Sequence, residues 1–594
     1  MAGVETGQEP MDSIYSQEVP EDKPWWQRTL MNDEKVRLGT WDGVFATVMV
    51  NIFGIIIFLR MGWIVGTAGV DQAIFQLAIC TTLSMITVFS AIGIIERCQI
   101  KGGGVYSLIA HVLGSRIGGA VAIIYTLGQA VATALVAVGL GESLAHFFGT
   151  ESKVFVKFIA IVTLAALTGI NAAGVLWVVR LQLLMLFCLA MAVLDFGLGF
   201  LFTSDEEHGV YRVSSARLQL NSQPHYDAVN CTNIGIDRQI PSQTFFTVFG
   251  VFFANFLGIL AGVNMSGDLK EPKKSIPLGE LSAVAVSSFI CFIMILILGS
   301  VADRYYLLCD YLIEEKVSLT KMFFLLGLYL CSLSSTIGSL LGTPRVLQGI
   351  ASEGIIPALN PLAQASGTNS NPIVASIVLM TVASLFVLLA DLNKLAILST
   401  MPFLLTYAYV NYAYVSLAMS YDIVHYEQQM SAKATDGSNY GSTSAEANSD
   451  LNQLFPERTE TTLTNDDQNI ITQPTSWYSM FSNRYVSFMG FVANIVLIIM
   501  IDKTMAFIHF SLLFILYLYI GVVSPHSSPG ISMFTIPKMI RTIFVNAEPT
   551  PQTDILNRNA PDLDLSTTAV NQVNDDYYDR KPYHAIEQLP NRLN

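Results

Sequence analysis

The chain has 594 residues, of which 52% are hydrophobic and 13% are charged, and its formal net charge is −14. Soluble domains usually carry about 25% charged residues. These proportions therefore exclude an ordinary soluble protein and indicate a chain that lies largely within a membrane. The acidic balance, without a basic cluster, also excludes the electrostatic footprint of a nucleic-acid-binding protein.

Apolar stretches long enough to cross a bilayer recur along the chain, and they lack the alternation of period two that is typical of barrel strands. They predict an all-α polytopic membrane protein with about twelve spans, at roughly 43–67, 72–96, 117–148, 154–171, 176–202, 243–263, 279–301, 319–342, 372–391, 394–420, 484–501 and 504–523. The predicted domains are an N-terminal tail (1–38), a transporter core (39–420), a disordered loop (421–482), two additional spans (483–524) and a C-terminal tail (525–594). The first 38 residues contain no apolar signal-peptide region, so the first span is expected to act as the insertion signal.

Lysine and arginine residues flank the short loops on one predicted side, for example Lys35, Arg97, Arg180 and Arg345. The positive-inside rule therefore places both termini, the 421–482 loop and the C-terminal tail in the cytoplasm. It does not distinguish between the plasma membrane and an internal membrane as the location of the protein. The 203–242 loop then lies outside, where its sequon predicts glycosylation of Asn230. Of the seven cysteines of the chain, most fall in apolar stretches, where cysteine is commonly a small core residue. Cys231 and Cys309 instead lie in two loops on this same predicted side, so they could pair.

Two of the apolar stretches are interrupted near their middles. Asn51-Ile52-Phe53-Gly54 interrupts the first span, and Gly258-Ile259-Leu260-Ala261-Gly262 interrupts the sixth. An opened helix within a membrane is tolerated where its freed backbone groups line a cavity or bind a ligand, and a matched pair of openings is typical of secondary transporters. The exposed N–H groups of a half-helix suit an anion and the exposed carbonyls suit a cation. The alternative is that the glycines only permit close helix packing.

Other polar residues within the spans leave two interpretations open. Four serines of the eighth span, Ser332, Ser334, Ser335 and Ser339, either bond to carbonyls of the preceding turn or provide oxygen ligands for a hard cation. Tyrosines crowd the tenth span, where a phenol such as that of Tyr407 either packs or donates to an anion.

Intramembrane charges are sparse, and Glu142 and Asp195 are candidates for functional or structural roles. No spacing typical of a metal site or a catalytic constellation occurs, so neither an enzyme nor a cofactor is expected.

Several motifs together resemble the cation–chloride cotransporters of the amino acid, polyamine and organocation superfamily. They are Leu38-Gly39-Thr40-Trp41-Asp42-Gly43-Val44, Asn51-Ile52-Phe53-Gly54, Gly102-Gly103-Gly104-Val105-Tyr106, Gly258-Ile259-Leu260-Ala261-Gly262, Ser266-Gly267-Asp268-Leu269-Lys270 and Gly342-Thr343-Pro344-Arg345. The resemblance covers about residues 38–420. It implies a LeuT-like 5+5 inverted-repeat core with broken helices 1 and 6, and two added helices.

The resemblance also implies where ions bind. One chloride would meet the backbone at Gly54, Ile55 and Ile56, and a second would lie near Gly258, Ile259, Leu260 and Tyr407. Sodium would be held by Val50, Phe53, Ser334 and Ser335.

The potassium site of the family is only partly kept. Asn51 and Ile52 retain its first-helix part, but the family's third-helix tyrosine aligns with Val136, and its sixth-helix proline and threonine align with Ala254 and Leu257. A potassium ion that gives up its hydration shell needs replacement oxygens, which these apolar side chains lack. We therefore expect a degenerate potassium site. The sequence also lacks the large C-terminal domain of well-studied members, so we do not expect the usual dimer interface of the family, and a homodimer is left open.

The sequence thus predicts a multi-pass secondary active transporter that moves chloride, a sodium-coupled solute, or both by alternating access, and that does not depend on potassium. One alternative, which the resemblance implies, is sodium-coupled transport of an organic solute such as nicotinamide mononucleotide, a polyamine or an amino acid. Another is a non-transporting regulator of other cotransporters. No cofactor is expected, and the partners are chloride, sodium, the solute and the lipid bilayer.

Overall fold

The structure is a computed structural model that describes residues 38–98, 103–150, 152–173, 175–231, 238–364, 372–389, 391–436, 478, 481–524 and 530–532. All of these belong to the first of two compact units, Met1–Met533. The predictions for residues 1–37, for most of the 421–482 loop and for nearly all of the 525–594 tail concern residues outside this description.

The described part of the chain consists mainly of α-helices, numbered here in chain order. Their bounds are α1 Ala46–Ile52, α2 Ile55–Arg97, α3 Gly104–Leu113, α4 Ser115–Phe147, α5 Lys153–Ala173, α6 Val175–Phe202, α7 Ser215–Ser222, α8 Phe245–Phe253, α9 Ala261–Asn264, α10 Pro272–Val301, α11 Arg304–Cys309, α12 Ile313–Val317, α13 Lys321–Ser352, α14 Ile373–Leu389, α15 Leu392–Asp436, α16 Arg484–Ile501 and α17 Lys503–Val523. A π-helical turn, Thr40–Phe45, precedes α1, and short 3₁₀ turns span Glu206–His208, Ala254–Phe256, Ser266–Asp268 and Pro357–Ala363. The strands β1 Val229–Cys231 and β2 Arg238–Ile240 form an antiparallel hairpin.

Eight helical segments in the described residues are long and apolar enough to cross a membrane, and three shorter apolar helices accompany them. One of the eight, Thr40–Arg97, has 58 residues, which corresponds to about 87 Å of helix. That is more than twice the hydrocarbon thickness of about 30 Å, so this segment accommodates two of the predicted spans. It kinks at Gly69, whose φ of 73° lies in the left-handed region. A Cβ at that position would lie 2.5 Å from the carbonyl oxygen of Ser222, so only glycine fits the kink.

Polar side chains define several helix beginnings. Asp303, Asn483 and Asp502 each accept a backbone N–H of the first turn that follows, at distances of 2.8 to 3.1 Å. Such caps satisfy N–H groups that have no intrahelical partner. They explain why the predicted bounds of the eleventh span, 484–501, coincide with α16.

The expectation that disorder begins at residue 421 is wrong, because α15 continues to Asp436. Residues 421–436 contain neither glycine nor proline and include Glu, Gln, Met, Ala and Lys, which favour helix. The polar composition of the whole 421–482 stretch concealed this helical beginning.

The helices that matter for the site pack in a few extensive pairs. α2 packs against α10, α13 against α6, and α15 against both α4 and α16. At the N-terminal end of the core, Leu38 and the residues after α9 are joined, because the N–H of Leu38 donates to Asp268 and that of Lys270 donates to Leu38. At the end of the hairpin a disulfide joins Cys231 to Cys309, so the pairing that the sequence left open is present.

Candidate transport site at two broken helices

The first span opens between α1 and α2. Phe53 leaves the helical region with ψ 49°, and Gly54 is extended with ψ −175° before α2 begins at Ile55. The predicted interruption at Asn51–Gly54 is therefore present. The first N–H groups of α2 have no carbonyl one turn earlier in the helix to accept them, and they lie at the break.

The sixth span opens between Phe256 and α9. Residues 257–260 form turns rather than helix, and the N–H of Ala261 donates to Gly258 at 3.0 Å. The hydroxyl of Tyr407 lies 2.9 Å from the carbonyl oxygen of Phe256 and 2.8 Å from that of Leu257, and donates to them. Tyr407 is fully buried, so in this conformation its phenol stabilises the opened backbone.

The two breaks contact each other directly. A Cβ built on Gly258 would lie only 2.3 Å from the Cβ of Asn51, so the absence of a side chain is what permits this approach. Gly54 differs, because a Cβ there would meet only the carbonyl oxygen of Asn51, at 3.5 Å. The packing interpretation therefore explains Gly258, whereas Gly54 leaves free space in front of the start of α2.

A cavity of about 50 Å³ lies where the breaks meet. Its walls come from α1, the start of α2, α4, the second break and α13. Because Thr47, Asn264 and Thr343 belong to its lining, it extends from the breaks toward the end where α1 begins.

The cavity gathers many, but not all, of the residues that the sequence assigned to the chloride, sodium and potassium sites. Those that line it are Asn51, Gly54, Ile55, Ile56, Val136, Ala254, Leu257, Gly258 and Ser335. Those that are buried outside its lining are Val50, Ile52, Phe53, Ile259, Leu260, Ser334 and Tyr407. The three apolar positions of the degenerate potassium site thus line the same cavity as Asn51.

The serines of α13 divide into two kinds. Ser332 donates to the carbonyl of Leu328 at 2.7 Å and Ser339 to that of Ser335 at 3.1 Å, which is the structural arrangement. Ser335 instead donates to the Oδ1 of Asn51 at 3.3 Å. The hydroxyl of Ser334 is buried and has no hydrogen-bond partner in the described part of the chain.

Comparison with known proteins identifies the family. The amino acid permease family matches residues 43–434. Solute carrier family 12 member 8 of Xenopus laevis is 34% identical over 95% of this chain and 93% of its own length. The chain belongs to solute carrier family 12, the cation–chloride cotransporter family.

Other family members are similar over shorter regions. Human solute carrier family 12 member 8 is 46% identical over 67% of this chain and 54% of its own length. Human solute carrier family 12 member 2 is 29% identical over 65% of this chain and 35% of its own length. Together with the apolar helices of the structure, these matches make this family 12 member a multi-pass membrane protein.

Amide side chains at the cavity of this family 12 member escaped the sequence analysis. Gln129 and Asn264 both line the cavity, and their amide nitrogens donate to the hydroxyl of Tyr125 at 2.8 and 2.6 Å. Asn264 begins an Asn-Met-Ser sequence, but its side chain is buried. The signal that would have found them is an amide within an otherwise apolar helix.

Ion pairs lie beyond the cavity at both ends. On the α2 side, the Arg60 guanidinium is 3.0 Å from the carboxylate of Glu142, donates to Asn393, and lies 3.8 Å from the centre of the Tyr311 ring. On the α1 side, Arg345 of α13 pairs with Asp268. Glu142 therefore pairs across helices.

The second intramembrane acid, Asp195, has a different environment. Its carboxylate oxygens accept the backbone N–H of Thr320, both at 3.1 Å. It thus fixes the beginning of α13, which is a structural contact.

Proposed function

We propose that this family 12 member is a secondary active transporter that moves chloride together with a cation by alternating access, on a LeuT-like 5+5 inverted-repeat core. The observation that carries the proposal is the meeting of two opened helices at one cavity. Opened backbone within a membrane is stable where it lines such a cavity, and this arrangement is typical of substrate sites in secondary transporters.

Chloride is the anion that the first break suits. The beginning of α2 presents unsatisfied N–H groups and the positive end of the helix dipole, and Gly54, Ile55 and Ile56 line the cavity there. Because Gly54 carries no side chain, an anion can approach these N–H groups closely. A second chloride near Gly258 requires that Tyr407 exchange its backbone acceptors for the ion.

Sodium is the proposed coupling cation. The free hydroxyl of Ser334 and the neighbouring hydroxyl of Ser335 are oxygen donors beside the first break, and with backbone carbonyls near Val50 and Phe53 they would complete an oxygen-only shell of the kind that hard cations prefer. Potassium is disfavoured, because Val136, Ala254 and Leu257 offer no side-chain oxygen to the cavity.

The two ion pairs are proposed to act as gates that close the cavity at its two ends. Arg60–Glu142 separates the cavity from the α2 side, and Asp268–Arg345 lies at the α1 side. In alternating access one ion pair opens while the other holds, and both ion pairs are formed in the described conformation.

An organic solute is the second candidate, because the amides of Gln129, Asn255 and Asn264 are uncharged hydrogen-bonding groups at the cavity. The volume of about 50 Å³ suits an ion with a few water molecules, whereas sites for larger molecules usually enclose about 300 Å³ or more. A nucleotide-sized solute would therefore need a wider conformation than this one.

Uptake into liposomes that contain the purified protein tests the proposal. Radiolabelled chloride is the probe, and sodium and potassium are replaced one at a time by an impermeant cation. We expect chloride uptake that falls when sodium is removed and persists when potassium is removed. Sodium-driven uptake of an amino acid, a polyamine or nicotinamide mononucleotide without chloride dependence would favour the second candidate. Absence of any flux, with co-purification of another cotransporter, would favour a regulatory protein.

The proposed orientation has both termini in the cytoplasm. In support, the disulfide partner Cys231 directly follows Asn230, which is exposed, and disulfides and glycans form on the non-cytoplasmic side. A homodimer is a further proposal, which cross-linking can test. Microscopy can distinguish a location in the plasma membrane from one in an internal membrane.

A further inference from the structure

Glu280 is a completely buried carboxylate within the membrane-spanning helix α10. One carboxylate oxygen, Oε1, accepts the backbone N–H of Val263 at 3.2 Å. The other, Oε2, is buried and has no hydrogen-bond partner in the described part of the chain. The transport mechanism proposed above does not use this residue.

The position of Glu280 links it to the second break. Val263 belongs to α9, the single helical turn that resumes the sixth span, and a Cβ on the adjacent Gly262 would lie 2.9 Å from Oε1. On the same turn, Ala261 and Asn264 line the cavity. Glu280 and the cavity therefore lie on either side of α9, and a shift of α9 would break the hydrogen bond and bring the carboxylate within reach of cavity water.

The immediate surroundings of Glu280 contain no compensating cation. No lysine, arginine or histidine among the described residues pairs with it, and its single polar contact is the Val263 N–H. The titratable groups within electrostatic range of it are the phenols of Tyr125 on α4 and Tyr407 on α15, while the first span presents Val44 beside Gly262. An ionised carboxylate with one hydrogen bond in an apolar interior is strongly unfavourable, whereas its neutral form is tolerated.

We propose that Glu280 binds a proton at Oε2 in this conformation and exchanges it with cavity water when α9 moves, so that a proton is a coupling ion of the transport cycle. The protonated group keeps its carbonyl oxygen as the acceptor for Val263. When α9 shifts, the O–H bond breaks, the proton passes to water in the cavity and the electron pair stays on the carboxylate. Before α9 returns, the carboxylate takes a proton from water that has entered from the opposite side of the membrane, so one proton crosses the membrane in each cycle.

Protonation itself can be tested without transport. Infrared difference spectra of the purified protein report the C=O stretch of a protonated carboxyl, and Glu280→Gln removes that group while keeping an acceptor for Val263. We expect the parent spectrum to contain a protonated-carboxyl band that Glu280→Gln lacks and that Glu280→Asp shifts in frequency. Glu314, a second buried carboxyl, contributes equally to all three spectra. A parent-minus-variant difference without such a band would overturn the proposal.

The coupling of proton movement to chloride transport rests on the proposed function, and it is measured separately from protonation. Liposomes that contain a trapped pH dye receive a chloride gradient while the membrane potential is clamped, and Asp71→Asn, which removes an exposed carboxylate of α2, serves as the matched control. We expect the dye to report a chloride-driven pH change for the parent and for Asp71→Asn, and a signal no larger than that of protein-free liposomes for Glu280→Gln. An unchanged pH signal in Glu280→Gln would refute coupling through this residue. If chloride moves through neither protein, the proposed function fails, and the infrared result still decides whether Glu280 holds a proton.

Discussion

Gly258 should be the least replaceable residue of the two breaks, and Gly258→Ala is the most direct test of how they meet. The added Cβ would lie 2.3 Å from the Cβ of Asn51 and 3.4 Å from its backbone carbon. Carbon atoms in good contact are about 3.5 to 4.0 Å apart. The new Cβ and the Cβ of Asn51 would therefore have to move apart by roughly 1 Å or more. Overpacking of this kind typically costs about 1–3 kcal/mol.

Gly54→Ala is the matched variant, because its Cβ would meet nothing closer than the carbonyl oxygen of Asn51 at 3.5 Å and its φ of −73° suits alanine. Its stability should stay near that of the parent, while the methyl group intrudes on the proposed chloride site. Gly169→Ala, on α5 with no atom within 4 Å, controls for the general effect of adding a methyl group to a helix.

The assay combines thermal unfolding in detergent with chloride uptake in liposomes. We expect the apparent midpoint to fall by several degrees for Gly258→Ala alone, and the chloride dependence of uptake to weaken for Gly54→Ala without a change in midpoint. A Gly258→Ala protein that unfolds with the parent, or a Gly54→Ala protein with an unaltered chloride titration, would refute the packing or the anion argument respectively.

The remaining predictions concern four other places in the molecule. Tyr407→Phe removes the phenol that holds two carbonyls of the second break; we expect normal expression, a loss of about 1 kcal/mol in stability and weaker anion dependence, measured by chloride titration of uptake. Ser334→Ala combined with Ser335→Ala should shift the sodium titration of uptake to higher concentrations, since two oxygen donors are lost. Burial raises the pKa of Glu314 from 4.5 to about 8, so between these pH values the native state holds a proton that the unfolded state releases. The free energy of unfolding should therefore fall as pH rises from 4.5 to 8. Glu314→Gln should flatten this pH dependence in thermal unfolding. Asn230→Gln should abolish a glycosidase-sensitive mass shift in protein made in animal cells.

Each of these has a result that would contradict it. If the chloride titrations of the parent and Tyr407→Phe superimpose, Tyr407 has only a structural role. If the sodium titrations of the parent and the double serine variant superimpose, Ser334 and Ser335 likewise have only a structural role. For Glu314, Gly62 provides the relevant contact, since its N–H donates to the carboxylate at 2.7 Å. An equal pH slope in the parent and in Glu314→Gln would show that another group dominates. Protein of unchanged mass after glycosidase treatment would place Asn230 on the cytoplasmic side or leave it unmodified.

The two breaks were predictable from the sequence because an interruption is a local property. A polar residue and a glycine inside an apolar stretch, such as Asn51 and Gly54, are visible without knowledge of any neighbour. The same holds for the apolar replacements at Val136, Ala254 and Leu257, whose chemistry does not depend on their surroundings. The helical character of most spans also follows from composition alone.

Only the tertiary structure could decide which side chains face one another. It brought Gly258 against Asn51, turned the phenol of Tyr407 toward the backbone of the second break, left Ser334 without a partner, and enclosed Glu280 behind α9. These pairings join residues that are far apart in the chain, and their distances depend on how whole helices pack. Residue types and their order determined where the membrane helices open, whereas close packing between helices determined what each opening meets, because contact energies act over a few ångströms in space and carry no trace along the sequence.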